Sequence, residues 1–189
     1  MDQSKLVKAS IDRGNAQKIT IYFPKKSYGW ISLLLIGAVL GVLAYFALQA
    51  YRMTGDLGAI FTLIISIGLV IDCLILTVWF FSMRYELSSN SLVLKMGPLQ
   101  YAIDLDNIVA VKKKDLTHTL WPSLKLPGFS LFYSSYKEEG KVFMCATRGQ
   151  KEVIVIETET MKFGITPDKE ELFLAELNSY LRGRNPINM

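Results

Sequence analysis

The chain has 189 residues, of which 51% are apolar, and a formal net charge of +4. The positive charge is concentrated in residues 1–28, which carry six Lys or Arg and two Asp, whereas residues 84–189 carry fourteen basic and thirteen acidic side chains. This distribution excludes the broad basic face of a nucleic-acid-binding protein. The two cysteines are too few for a disulfide framework.

Two long apolar segments follow the basic arm of residues 1–28. Residues 29–50 contain no charged side chain, and their length of about 22 residues is enough to cross a hydrocarbon core of roughly 30 Å. The second apolar segment covers residues 58–82, and only a few residues around Gly55 and Asp56 separate the two. The sequence therefore predicts an antiparallel, two-helix transmembrane hairpin over residues 29–83.

The distribution of Lys and Arg predicts the orientation of this hairpin. Six basic residues precede it, Arg84 and Lys95 follow it, and its tip carries only Arg52. Because positive charge stays inside, we expect a multi-pass protein of the cell membrane with its N- and C-termini in the cytoplasm. Residues 17–23 alternate in the manner of a strand. They could join the later domain or lie along the membrane surface.

Beyond Arg84 the pattern changes to short apolar runs with a period near two, separated by turn residues. An amphipathic helix follows Pro167 and ends near Gly183. The predicted strands are 85–88, 91–96, 99–105, 107–113, 129–136, 141–147, 153–157 and 161–165. This order predicts an α+β membrane protein in which residues 84–182 form a curved sheet or a partly open antiparallel β-barrel capped by the C-terminal helix, with a tail at 183–189.

Four runs in this region resemble the family of small bacterial pleckstrin-homology (PH) domains. They are Lys-Leu-Pro-Gly-Phe at 125–129, Val-Phe-Met-Cys-Ala-Thr-Arg at 142–148, Val-Ile-Val-Ile-Glu-Thr at 153–158 and Phe-Gly-Ile-Thr-Pro-Asp at 163–168. The resemblance implies a PH-like barrel that often follows one or two transmembrane helices and carries no established catalytic residues. The family usually has a second glycine after Leu-Pro-Gly, where this chain reads Ser-Leu-Phe-Tyr at 130–133.

No chemistry-bearing motif accompanies this pattern. The phosphoinositide-binding PH domains carry a basic first hairpin loop, whereas residues 88–91 of this chain read Ser-Ser-Asn-Ser. The sole histidine, His118, has no neighbouring Cys or second His with which to bind a metal. A nucleophile motif and a phosphate-binding loop are also absent from the sequence. We therefore expect no catalytic, cofactor or metal site.

The segment 115–129 is more apolar than a solvated loop should be. It either folds over the end of the barrel or forms a membrane-dipping or partner-binding surface. The candidate residues of this interaction loop are Trp121, Leu124, Leu126 and Phe129.

Lysines on both sides of the hairpin are candidates for contact with anionic lipid headgroups. These candidates are Lys25, Lys26, Lys112 and Lys114. Strand alternation sends Lys112 and Lys114 to one face and Lys113 to the other, so the run of three lysines cannot act as one patch.

Asp72 lies near the middle of the second predicted helix, where a charged side chain costs roughly 2.5–3.5 kcal/mol. Gly68 lies one turn before it, and Gly37 and Gly41 reach similar depth in the first helix. Since intramembrane carboxylates usually face protein, we expect Asp72 to point at the Gly37/Gly41 face. The residue is either a polar clamp of the hairpin or a site of oligomerisation or ligand contact.

These features favour a non-catalytic, membrane-anchored PH-like interaction or scaffold module. We expect the module to lie in the lipid bilayer and to bind an unknown partner protein. The sequence is also compatible with a homo-oligomer. The alternative is a membrane defence or immunity protein that acts against a membrane-active toxin.

Overall fold

The protein, represented by a computed structural model, is described for residues 18–117, 125–126 and 129–183. Residues Tyr28–Phe81 form one compact unit, and the described residues before and after them form a second. Trp121, Leu124 and His118 lie outside the described residues. For Leu126 and Phe129 only the backbone is described.

The first unit is a helical hairpin. Helix α1 (Gly29–Thr54) and helix α2 (Leu57–Ser82) have 26 residues each, and both are long and apolar enough to cross a membrane. Helix α1 ends because Gly55 adopts a left-handed φ of 66° and its N–H donates to the Tyr51 carbonyl oxygen at 2.8 Å. Helix α2 begins beside Asp56, whose Oδ1 accepts from the Gly58 N–H at 3.1 Å.

The two helices meet along a seam on which the less exposed residues recur every three or four positions, the spacing of an antiparallel coiled coil. A Cβ built on Gly37 would lie 3.6 Å from the Cβ of Cys73, which fixes the register of the two helices. The seam residues are Leu33, Gly37, Leu40, Ala44 and Ala47 on α1, and Leu63, Ser66, Val70, Cys73, Thr77 and Phe80 on α2. Most seam positions of α1 are small, so the backbones can approach closely.

The second unit is built from two β-sheets and one helix. The described strands are β1 (Thr20–Tyr22), β2 (Arg84–Leu87), β3 (Ser91–Met96), β4 (Leu99–Asp104), β5 (Ile108–Lys114), β6 (Lys125–Leu126), β7 (Phe129–Tyr136), β8 (Gly140–Ala146), β9 (Val153–Thr158) and β10 (Lys162–Ile165). The first sheet has the order β1-β2-β3-β4, and the second has the order β5-β9-β10-β8-β7-β6. Helix α3 (Glu170–Arg182) follows the last strand.

Strand β1 decides between the two alternatives left open for residues 17–23. It pairs antiparallel with β2, with Thr20 opposite Leu87 and Tyr22 opposite Tyr85. The chain stays attached to this unit beyond the strand, because the Lys25 N–H donates to the Thr166 carbonyl oxygen at 2.8 Å. The helical hairpin is therefore inserted in the chain between two neighbouring strands of one sheet.

The prediction of an antiparallel β-barrel capped by a helix is confirmed only for its strands and its C-terminal helix. The sheets remain separate, because a short 3₁₀ turn at Leu105–Asn107 takes the chain from β4 into the second sheet, where β5 pairs with β9. Leu105 fixes this corner, since its side chain is buried and its N–H donates to the Asn90 carbonyl oxygen at 3.0 Å. In addition, β10 lies between β9 and β8 and pairs parallel with β8.

Glycine makes this central position of β10 possible. A Cβ on Gly164 would occupy space that the buried Met144 side chain of β8 takes. Alternation alone predicts a strand here but not its neighbours, so the parallel pair could not be read from the local pattern.

Tyr85 ties the two sheets together. Its side chain, on β2, is completely buried, and its hydroxyl donates to the Cys145 carbonyl oxygen on β8 at 2.6 Å. The Thr166 N–H donates to the same hydroxyl at 3.4 Å. Burial raises the pKa of Tyr85 well above its ordinary value, so the hydroxyl keeps its proton and this hydrogen bond persists.

Helix α3 packs on β1 through one aromatic and one polar contact. The rings of Tyr22 and Phe173 meet edge to face with 5.1 Å between their centroids. Glu176 accepts hydrogen bonds from the hydroxyls of Tyr22, of Thr20 at 2.7 Å and of Tyr180 at 3.2 Å. Although burial acts to raise the pKa of Glu176, these donors hold it below its ordinary value.

Candidate functional site

A cleft of about 280 Å³ opens where the first sheet ends and the second begins. One wall is β4 with the corner that follows it, and the other is the turn between β9 and β10, residues 158–161, with the start of β10. We call this the sheet-edge cleft. It exists because β4 is the last strand of its sheet and has no further strand beside it among the described residues.

Aromatic side chains form the apolar part of the sheet-edge cleft. Tyr101 and Phe163 line it, and both contact the buried Phe143 behind them, with centroid distances of 4.3 Å and 6.0 Å. Phe143 has 2% of its surface exposed, so the two lining rings are supported by the core of the domain. A site backed by packed aromatic rings is held in one shape before any partner arrives.

The polar rim of the sheet-edge cleft has one charge sign. Asp104 and Glu159 are its ionisable residues besides Tyr101, and Asn107 and Thr160 add neutral polar groups. None of the described residues that line the cleft is Lys or Arg. An anionic group would find no cationic partner among the described residues of this cleft.

Lys112 and Lys114 belong to an ion cluster on the second sheet. Lys114 Nζ lies 2.5 Å from Glu139 Oε1, Lys162 Nζ lies 2.6 Å from Glu139 Oε2, and Lys112 Nζ lies 3.1 Å from Glu157 Oε2. Hydrogen bonds from Lys114 and Lys162 lower the pKa of Glu139 to about 2. The predicted alternation of the lysine run is present, but both ammonium groups are paired with carboxylates of their own domain.

Lys113 and Lys25 meet in a second ion cluster. Lys25 Nζ lies 2.9 Å from Glu152 Oε2 and 3.1 Å from Glu170 Oε2, and Lys113 Nζ lies 2.7 Å from Glu170 Oε1. This cluster joins the segment before α1 to β5 and to the start of α3. Of the four lysines predicted to contact lipid headgroups, the structure thus gives three a carboxylate partner and leaves Lys26 exposed, and headgroup contact stays a prediction for all four.

Asp72 does not point at the Gly37/Gly41 face. The neighbouring residue, Cys73, takes the seam position opposite Gly37, and Asp72 is exposed on the surface of the hairpin. Gly41 and Gly68 also lie off the seam, since a Cβ on either would meet nothing within 4 Å. The expected juxtaposition fails because the seam follows a heptad spacing that the i, i+4 argument from Gly68 to Asp72 does not capture.

The segment predicted to form an interaction loop is described only at its beginning and end. Leu116 is 5% exposed and packs in a buried cluster with Val153 and Val155 of β9 and Val142 of β8. Its N–H donates to the Gln150 carbonyl oxygen at 2.6 Å. The first residues of the segment therefore fold back on the second sheet, while the role predicted for Trp121, Leu124, Leu126 and Phe129 stays a prediction.

The sheet-edge cleft was not predicted from the sequence. Tyr101 and Phe163 belong to different sheets and look like ordinary strand aromatics in the local pattern. Asp106 and Asn107, which favour turns, are the one signal of a corner at this position. Among the described residues, no three His, Cys, Asp or Glu side chains converge to hold a metal ion.

The described domain consists of two β-sheets, with a C-terminal helix after the last strand. A comparison with protein-family models matches residues 83–181 to the family described as Bacterial PH domain. The match covers more than half of the chain, and the protein belongs to this bacterial PH domain family. Comparisons with curated proteins and with solved structures gave no match.

Proposed function

We propose that the protein is a non-catalytic interaction module that is anchored in the cell membrane and binds a partner protein at the sheet-edge cleft. The observation that carries the proposal is the cleft itself, an aromatic depression with a polar rim beside an edge strand. Such an edge offers backbone hydrogen bonds, and the depression offers a place for a side chain of the partner. Membership in the bacterial PH domain family supports the interaction role.

The proposed anchor is the helical hairpin of α1 and α2. Both helices expose apolar side chains along their length, and more than half of the surface is exposed at residues 39 and 42 of α1 and residues 61 and 64 of α2. An apolar surface of this extent is unfavourable in contact with water. Because β1 precedes α1 and β2 follows α2, the pairing of these strands supports an anchor that leaves and re-enters the domain on one side of the bilayer. The excess of Lys and Arg on the domain side supports a cytoplasmic location for that side.

The binding proposal is tested by photo-crosslinking in living cells. The cross-linking amino acid benzoylphenylalanine replaces Thr160 in the cleft turn or, as the matched control, Glu138 in the exposed turn between β7 and β8. We expect a discrete adduct of higher mass from position 160 that weakens when Tyr101→Ala is added, because Tyr101 lines the same cleft. The same adducts from both positions, or none from position 160, would contradict binding at the cleft.

The anchoring proposal has its own test. Membranes from expressing cells are washed with alkaline carbonate, which releases peripheral proteins and leaves proteins with membrane-spanning helices in the pellet. We expect the full chain to stay in the pellet, because two spans of 26 residues are too apolar to leave the bilayer. Release into the supernatant would contradict the anchor without touching the cleft.

A further inference from the structure

Helix α2 presents its one carboxyl side chain on the surface of the hairpin. Asp72 is exposed and makes no hydrogen bond to another described residue. The seam that joins α2 to α1 runs through Val70, Cys73 and Thr77, so the Asp72 side chain leaves the helix on a side that α1 does not cover. Among the described residues, the hairpin alone therefore gives this carboxyl group no hydrogen-bonding partner.

This placement becomes costly if α2 crosses a bilayer, and the inference rests on the proposed anchoring function in that respect. A carboxylate near the middle of a span is unfavourable in contact with lipid, and such groups are found facing protein. Gly68 lies one turn before Asp72, and a Cβ on it would meet nothing within 4 Å. A second helix can consequently approach the α2 backbone beside Asp72 more closely than elsewhere on this surface.

We propose that two copies of this chain associate in the membrane through the α2 face centred on Gly68 and Asp72. Both copies insert with the same orientation, so a twofold dimer places the two Asp72 side chains at the same depth beside its axis. Each Asp72 side chain then lies beside the polar group of the other copy, where lipid would offer none. An apolar helix of another protein would leave Asp72 as unsatisfied as lipid does.

Disulfide cross-linking in native membranes tests the face directly. The background is the full chain with Cys73→Ser, and Cys145 stays in place because it is 1% exposed. A cysteine is introduced at Ile75, about 60° around the helix from Asp72, or at Leu74, about 160° away. The two positions are matched, since they are adjacent in depth and their side chains are 42% and 52% exposed.

We expect oxidation to cross-link the Ile75→Cys chain into a dimer and to leave the Leu74→Cys chain monomeric. Adding Asp72→Leu to the Ile75→Cys chain should lower the dimer association constant about three- to tenfold, the usual effect of one interhelical polar contact in a membrane. Asp72→Asn should retain the dimer, because an amide both donates and accepts a hydrogen bond.

Equal or stronger cross-linking at position 74, no dimer at position 75, or an Asp72→Leu chain that dimerises as before would each overturn the proposal. The same membranes are washed with alkaline carbonate. A chain that stays in the pellet without forming the dimer disproves this interface alone, whereas a chain that is released disproves the anchor and the interface together.

Discussion

At the scale of single residues, the domain depends on a few buried polar groups that connect its parts. The hydroxyl of Tyr85 joins the two sheets, and the carboxylate of Glu139 holds two lysines at the edge of the second sheet. Both groups are almost fully buried, so their hydrogen bonds and ion pairs stabilise the fold more than the same interactions would at an exposed position. Two substitutions test this directly.

Tyr85→Phe should destabilise the domain by about 1–3 kcal/mol, because the Cys145 carbonyl oxygen and the Thr166 N–H each lose a buried partner. The measurement is the unfolding free energy of the purified full chain in detergent. Tyr133→Phe is the control. Because Tyr133 is 54% exposed, removing its hydroxyl leaves no buried group without a partner. Equal effects of the two substitutions would show that the inter-sheet hydrogen bond contributes nothing specific.

Glu139→Gln should remove a component of the acid sensitivity of folding. The Glu139 carboxyl has a pKa of about 2 in the folded chain against an ordinary value of 4.5, so its ion pairs stabilise the fold fully above about pH 4.5. As the pH falls from 4.5 towards 2, the unfolded chain binds a proton that the folded chain does not, and up to about 3 kcal/mol is lost.

The measurement compares unfolding free energies at several pH values in that range. The Glu139→Gln chain should be less stable than the unmodified chain at pH 6 and should lose less stability between pH 4.5 and 2.5. Glu138 is an exposed neighbour in the same turn, and Glu138→Gln should leave the change of unfolding free energy with pH as it is in the unmodified chain. If the Glu139→Gln chain loses as much unfolding free energy between pH 4.5 and 2.5 as the unmodified chain, other carboxylates cause the acid sensitivity.

At the scale of elements, helix α3 supports the short strand β1 through side-chain contacts, in addition to the pairing of β1 with β2. Three hydroxyls converge on Glu176, and two of them come from Thr20 and Tyr22 of β1. A strand of three residues at the edge of a sheet has few backbone hydrogen bonds of its own. Its attachment therefore depends on a helix more than 150 residues later in the chain.

Glu176→Ala should accordingly destabilise the domain by about 1–3 kcal/mol, because the largely buried hydroxyl of Tyr22 loses its carboxylate acceptor and keeps only the Leu172 carbonyl oxygen at 3.4 Å. The measurement is the unfolding midpoint of the full chain, together with the rate of protease cleavage between residues 18 and 27. Glu171→Ala on the exposed side of the same helix is the control and should leave both nearly unchanged. Faster cleavage in the control as well would refute the proposed role of Glu176.

At the scale of the whole molecule, the insertion of the hairpin between β1 and β2 makes the orientation of the protein testable. In the background Cys73→Ser, a membrane-impermeant maleimide added to intact cells should label Thr54→Cys at the exposed hairpin tip. Glu138→Cys in the domain should react only after the cells are permeabilised, because the positive charge keeps the domain inside. Labelling of Glu138→Cys in intact cells would reverse the orientation.

Much of the architecture could be predicted from local patterns. The two apolar helices, the strands 91–96 and 129–136 and the C-terminal helix were all predicted within a few residues, because composition and period report directly on burial. The family membership was also predicted, since four sequence runs carry it in the right order. The site was not predicted, because Tyr101 and Phe163 acquire their significance only from each other.

Local sequence patterns predict which segments are helices and strands and where charge accumulates, since these properties depend on neighbours within a few residues. Long-range packing in the folded domain, in contrast, pairs β1 with β2, separates the sheets at Leu105 and places β10 between β8 and β9. It also decided that Cys73 and not Asp72 faces Gly37. Each of these outcomes depends on packing between residues far apart in the chain, where a shift of one residue changes which side chain is covered.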